Sequence, residues 1–82
     1  MSKDEILTQL VAMMRDYFDD EELALTRETT AQDVAEWDSL SHVNIIAGVE
    51  STFGVRFGIS EIENLESVGD LVDLVAAKKG IA

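Results

Sequence analysis

The sequence predicts an all-α protein: a small up-and-down helical bundle of three longer helices and one short helix, with a long loop between the first helix and the second. Three observations carry that reading. Apolar residues recur at helical spacing in three separate stretches, around 6–17, 40–53 and 68–75. A capping residue stands before each of them, at Ser2, Asp38 and Ser67. One stretch, Val55-Arg56-Phe57-Gly58-Ile59, alternates like a strand but finds no second strand to pair with, so it reads as an extended connector that buries Phe57.

Helix 1 should begin at Lys3, because Ser2 and Glu5 have the spacing of a capping box. Ile6, Leu7, Leu10, Met13, Met14 and Tyr17 make its apolar face, and Thr8, Gln9, Arg15 and Asp16 its polar one. The acidic run Asp19-Asp20-Glu21-Glu22 is unfavourable at a helix C-terminus, which should end the helix by about Phe18. The same run lacks the alternating oxygens, central Gly and closing Glu of a calcium loop.

No helical period persists from Asp19 to Asp38. Leu23, Leu25, Val34 and Trp37 should pin this loop onto the helices, with one short turn near Thr29-Thr30-Ala31-Gln32 capped by a Thr hydroxyl. Helix 2 should run from Ser39 to about Phe53, with Asp38 as its N-cap and Gly54 as its left-handed end. Leu40, Val43, Ile46, Val49 and Phe53 form its inward stripe, widened by Ile45 and Ala47. Gly48 inside it costs roughly 1 kcal/mol relative to Ala, which either close approach of a neighbour or simple toleration explains. Ser60 and Glu63 should cap a very short helix reaching about Leu65. Ser67 and Asp70 should cap the last helix, which turns Val68, Leu71, Val72 and Val75 inward and ends at Lys78-Lys79-Gly80.

With 82 residues and no repeat or linker, the chain reads as one domain, 1–82. There is no Cys and one His, so disulfides and thiolate metal sites are excluded and no metal site is expected. No apolar run approaches a membrane span, and Met1-Ser2-Lys3-Asp4-Glu5 is not a secretory leader; a cytoplasmic monomer is expected. The formal net charge of −11 disfavours nucleic acid and anionic lipid as partners and favours basic protein faces. No Lys or Arg lies between Arg27 and Arg56, an interval that holds Glu28, Asp33, Glu36, Asp38 and Glu50. That acidic interval surrounds Ser39 and should steer a basic enzyme toward it.

Ser39 falls at the first helical position, with its hydroxyl expected to face the loop. An anion attached there gains roughly 0.3–1 kcal/mol from the positive end of the helix dipole. Nothing nearby activates Ser39 as a nucleophile. Asp38, Ser39 and His42 do not make a hydrolase triad, because one exposed helix N-terminus offers no enclosed site and no oxyanion hole. His42 reads as an exposed helix residue. On the residues alone, Ser39 is a second capping hydroxyl beside Asp38.

Asp38-Ser39-Leu40 at mid-chain resembles the phosphopantetheine attachment motif of acyl carrier proteins. The resemblance covers most of the chain. It includes Leu25-Thr26, Thr29, Asp33-Val34 and Trp37, then Val43, Ile46, Val49, Glu50 and Phe53, and finally Ile62, Leu65, Ser67-Val68 and Leu71-Val72. It implies a carrier without catalytic activity. A phosphopantetheinyl transferase, using coenzyme A and Mg²⁺, would attach 4′-phosphopantetheine to Ser39, and the thiol of that arm would carry acyl groups as thioesters. The pathways implied are fatty acid, polyketide or related acyl biosynthesis. Asp38 and Leu40 should contact the transferase. Ala47 and Glu50 should contact acyl-processing enzymes such as an acyl ligase, ketosynthase or acyltransferase. From the apolar stripes, Val43, Ile46, Phe57 and Ile62 should edge a groove for a short acyl chain.

The sequence also departs from the fatty-acid-synthesis carriers it resembles. Ser41, His42, Asn44, Ser51 and Thr52 stand where acidic residues are usual, and Arg56 adds positive charge near the helix end. A specialised carrier serving a dedicated enzyme is the expectation. The absence of Gly-Gly-x-Ser argues against a peptidyl carrier. The rival reading is a non-covalent acidic helical adaptor for a basic protein.

Overall fold

The computed structural model describes residues 2–34 and 37–80, with the side chains of Ala31 and Ser39 outside the described set. Among the described residues four α-helices follow one another: α1 (Lys3–Tyr17), α2 (Ser39–Phe53), α3 (Ile59–Glu63) and α4 (Val68–Lys79), with a 3₁₀ turn at Ala31–Asp33 in the first loop. This is the expected helical bundle, and α1 packs against both α2 and α4.

The ends of α1 are set locally. Ser2 Oγ accepts from the Glu5 N–H and Glu5 Oε1 accepts from the Ser2 N–H, both at 3.2 Å, which completes the capping box. At the far end the Asp20 N–H reaches the Arg15 carbonyl at 2.9 Å and the Asp19 N–H reaches that of Asp16 at 3.3 Å, a Schellman closure. That closure puts Asp19 at φ 52°, a left-handed position that favours glycine. Ile6, Leu10 and Met14 are fully buried. Leu7 and Met13 are half-buried, and Tyr17 is exposed at the edge of the expected stripe, where its hydroxyl accepts from Asn44 Nδ2 at 3.0 Å.

The long loop is held down as its apolar residues suggest. Leu25 and Trp37 are buried, and Leu23 and Val34 pack partly against the core. The radius of gyration, 11.7 Å, matches that of a close-packed chain of this length, so the loop adds no extended excursion. The short turn forms, but its cap runs the other way from the expectation. Asp33 Oδ2 accepts from the Thr30 N–H at 2.9 Å and from its hydroxyl at 3.2 Å, because a carboxylate is the stronger acceptor.

Helix α2 begins and ends where the sequence places it, and Gly54 adopts φ 67° at its end. Its inward side differs from the expectation. Ile45, Ile46, Val49 and Phe53 are buried, whereas Leu40 and Val43 are 72% and 63% exposed and Ala47 is also exposed. The helix is apolar around much of its circumference, and the packing of α1 and α4 selects one side. A Cβ added at Gly48 would meet the Met13 side chain at ordinary contact distance.

Beyond Gly54 the chain runs as an extended connector with Val55 and Phe57 half-buried, so Phe57 is less enclosed than expected. Helix α3 starts earlier than the Ser60–Glu63 pattern suggests. Gly58 is the N-cap, and its N–H donates to Glu61 Oε1 at 2.7 Å. Glu61 wins over Glu63 because its carboxylate also meets Lys78 at 2.9 Å, which ties α3 to α4. Helix α4 is capped by Ser67, whose Oγ accepts from the Asp70 N–H at 3.2 Å. The Asp70 carboxylate reaches back to the Glu66 N–H at 3.0 Å, one residue short of a full box.

Five of the six basic residues tie elements together in this acidic chain. Lys3 and Arg27 converge on Asp73 at 3.2 and 2.8 Å, which joins α1 and the loop to α4. Arg15 Nε donates to the Leu23 carbonyl, Lys78 pairs with Glu61, and Lys79 Nζ donates to the Phe53 carbonyl at 3.0 Å. The last contact places a cation at the negative end of α2.

Candidate functional site

The head of α2 is fixed from two sides. Asp38 has extended backbone angles, φ −97° and ψ −173°, and its Oδ1 accepts from the Ser41 N–H at 2.8 Å. It therefore caps the helix and makes Ser39 the first helical residue. The backbone and side-chain hydrogen bonds from Ser41 hold the Asp38 carboxyl below the usual carboxylate range. The cap is thus ionised at neutral pH.

On the loop side Trp37 is buried and its N–H donates to the Val34 carbonyl at 3.0 Å. Its Nε1 donates to His42 Nδ1 at 3.2 Å, and the two rings stack with centroids 6.0 Å apart at 29°. Trp37 precedes the cap and His42 is the fourth residue of the helix, the two positions that a hydrophobic staple joins. His42 is accordingly half-buried against Trp37, not the exposed residue expected, because its ring completes the buried indole's hydrogen bonding. Asp38 and His42 face different partners, which also separates the two outer members of the notional triad.

Asp38 and Leu40, on either side of Ser39, are both exposed. The Ser39 hydroxyl itself, and Glu36, lie outside the described residues. A phosphodiester arm fits such a mouth. The flanking residues leave space, and the first turn of a helix presents N–H groups without intrahelical acceptors. Asp38 uses the Ser41 N–H and adds its own negative charge, which offsets part of that gain.

The remaining candidate residues are dispersed. Ala47 is exposed on α2. Glu50 is half-buried, and its Oε2 accepts from the Phe57 N–H at 2.9 Å, so it holds the connector to α2. Nothing in the sequence signals that bond, since it spans seven residues across a helix end. Val43 stands in solvent, Ile46 is in the core, and Phe57 and Ile62 are half-buried against it. A small cleft lies where Trp37 and His42 meet Leu65, Glu66, Ser67 and Leu71. Three carboxylates of the acidic interval are engaged locally: Asp33 with Thr30, Asp38 with Ser41 and Glu50 with Phe57. No helix among the described residues is long and apolar enough to cross a membrane.

Comparison with known proteins bears on what this helix head serves. No family model matches the chain. An acyl carrier protein of Acidothermus cellulolyticus is 37% identical over 76 residues, covering 93% of this chain and 90% of that one. One from Arthrobacter sp. is 34% identical over 80 residues, covering 92% and 93%. The solution structure of a holo acyl carrier protein from Geobacter metallireducens has a TM-score of 0.85 and 44% identity, covering 90% of this chain and 85% of that one. The crystal structure of the Thermotoga maritima acyl carrier protein has the same TM-score at 21% identity and supports the fold alone. The relatives, the bundle and the capped helix head agree: the chain belongs to the acyl carrier protein family and is a carrier, not an enzyme.

Proposed function

We propose that Ser39 bears a 4′-phosphopantetheine arm whose thiol carries acyl groups as thioesters between biosynthetic enzymes. The observation that carries this reading is the position of Ser39, first residue of α2, between exposed Asp38 and Leu40. In the loading step the serine oxygen forms a bond to the β-phosphorus of coenzyme A. The pyrophosphate P–O bond breaks, adenosine 3′,5′-bisphosphate leaves, and the hydroxyl proton passes to a base of the transferase. The carrier contributes a fixed backbone and an approachable surface, with Asp38 and Leu40 nearest the incoming enzyme. The arm then supplies the thiol; the chain's own residues only present it. The scarcity of acidic side chains on α2 supports service in a specialised acyl pathway.

Incubating the purified chain with a broad-specificity phosphopantetheinyl transferase, Mg²⁺ and coenzyme A tests the reading. Intact mass should rise by one phosphopantetheinyl group, and Ser39→Ala should abolish the increment. An unmodified wild-type chain beside a fully modified control carrier would instead favour a non-covalent adaptor.

A further inference from the structure

We infer that His42 is a proton-operated positioning residue: unprotonated, it holds the Trp37 indole and with it the loop that leads into Ser39; protonated, it lets the indole go and turns to Glu66. The consequence for loading rests on the reading of Ser39 as the loaded residue; the switch itself does not.

The chain has one Trp and one His, and the fold brings them together from either side of Ser39. Trp37 is 8% exposed, and among the described residues its Nε1–H has one acceptor, His42 Nδ1 at 3.2 Å. A neutral imidazole that accepts at Nδ1 carries its proton on Nε2. A proton from solvent adds to the Nδ1 lone pair, makes both ring nitrogens donors and sets one N–H against another. No rotation of the ring restores an acceptor. The indole N–H is then unpaired, which the chain relieves by moving the side chain toward water.

The acid form of His42 has its own partner. Among the described residues, Glu66 is the one other titratable side chain that lines the cleft with His42, and it is exposed. The neighbouring charges are committed elsewhere: Asp38 to the Ser41 N–H, Asp33 to Thr30, Asp70 to the Glu66 N–H and Arg27 to Asp73. His42 thus has two partners that exclude each other, the indole N–H for its base form and the Glu66 carboxylate for its acid form. The ring pair spans Ser39, with Trp37 two residues before it and His42 three after. With the clamp closed, the backbone through Ser39 is fixed from the loop and from the helix. With it open, the Asp38 cap alone holds the helix head, and a less fixed hydroxyl reacts more slowly.

The single indole gives one ¹⁵N–¹H NMR cross-peak, and the imidazole ¹⁵N shifts report which ring nitrogens are protonated. Between about pH 8 and about pH 5 the indole proton should move upfield in step with protonation of Nδ1. His42→Asn places an amide oxygen near the position of Nδ1 and does not titrate, so its indole signal should stay in place. His42→Phe keeps the stacked ring without an acceptor and should give the acid signal at every pH. Glu66→Gln should move the wild-type midpoint to lower pH. The same pH series then reads kcat/KM for modification by a broad-specificity phosphopantetheinyl transferase with coenzyme A. The ratio of wild type to His42→Asn cancels the transferase's own pH dependence and should fall about threefold or more toward acid, with far-ultraviolet circular dichroism unchanged. An indole proton that stays in place while Nδ1 gains its proton means that the imidazolium keeps the ring by stacking on it, and overturns the switch. A ratio independent of pH overturns the positioning role. No modification of the wild-type chain at any pH overturns the reading of Ser39 and leaves the NMR titration to decide the switch.

Discussion

Two glycines in helices give the sharpest test of the packing. Replacing an interior helical Gly by Ala gains up to about 1 kcal/mol from backbone propensity. At Gly48 a new Cβ would meet the Met13 sulfur at 3.4 Å, an ordinary contact with a flexible side chain. Gly48→Ala should therefore stabilise the protein by about 0.5–1 kcal/mol. At Gly69 the Cβ would fall 2.8 Å from the Arg27 carbonyl oxygen. That carbonyl cannot swing aside, because it accepts the Gly69 N–H at 2.8 Å while the Thr29 carbonyl accepts the Val68 N–H at 2.8 Å. Relieving the clash loosens two hydrogen bonds worth about 0.5–1.5 kcal/mol each. The propensity gain is smaller than at Gly48, since Gly69 sits in the first turn of α4. The balance is a loss of about 1–2 kcal/mol, or a Tm lower by roughly 4–16 °C for a domain of this size. Thermal unfolding followed by circular dichroism measures both variants. A Gly69→Ala protein at least as stable as wild type would refute the close approach of the loop to α4.

Three further substitutions probe single contacts. Asp19→Gly should raise stability by about 1 kcal/mol, because it relieves a left-handed φ of 52° and removes an acid from the C-terminal end of α1; an unchanged urea midpoint would contradict this. Glu50→Ala should cost about 1–2 kcal/mol by stranding the Phe57 N–H, whereas Glu50→Gln keeps an acceptor and most of the stability; equal midpoints for the two variants would show the bond to be idle. The Arg27 guanidinium first, and Lys3 second, hold the Asp73 carboxyl below its usual range. A depressed carboxyl stabilises the fold above its unfolded pKa and loses that contribution as pH falls through the folded one. The stability gap between wild type and Asp73→Asn should thus be present at neutral pH, under about 1 kcal/mol for an exposed pair, and close on acidification below about pH 4. A gap independent of pH would remove the ion pairs as its cause.

The helix limits were readable because caps are local: Ser2 with Glu5, Asp38, Gly54 and Ser67 act within one turn. The direction in which α2 faces was not. Leu40, Val43 and Ala47 fit the helical period as well as Ile45, Ile46 and Val49 do, and only the positions of α1 and α4 choose between them. The local bonds of Glu50 and His42 were not legible for a related reason. Their partners, the Phe57 N–H and the Trp37 indole, become neighbours only once the chain has turned at each end of α2. The start of α3 depended on Lys78, a residue from another helix that favours Glu61 over Glu63. At the candidate site, the place of Ser39 at the helix start was legible, and the Trp37–His42 clamp behind it was not.

The central claim is that the fold singles out Ser39 from its neighbour Ser41, two residues on in the same turn. Ser41 gives its N–H to Asp38 and sits inside the first turn, whereas Ser39 opens it. Peptide mapping by tandem mass spectrometry after transferase treatment reads the choice directly. The account predicts the phosphodiester on Ser39 alone, unaffected by Ser41→Ala. A modification found on Ser41, or one that survives Ser39→Ala, would contradict it.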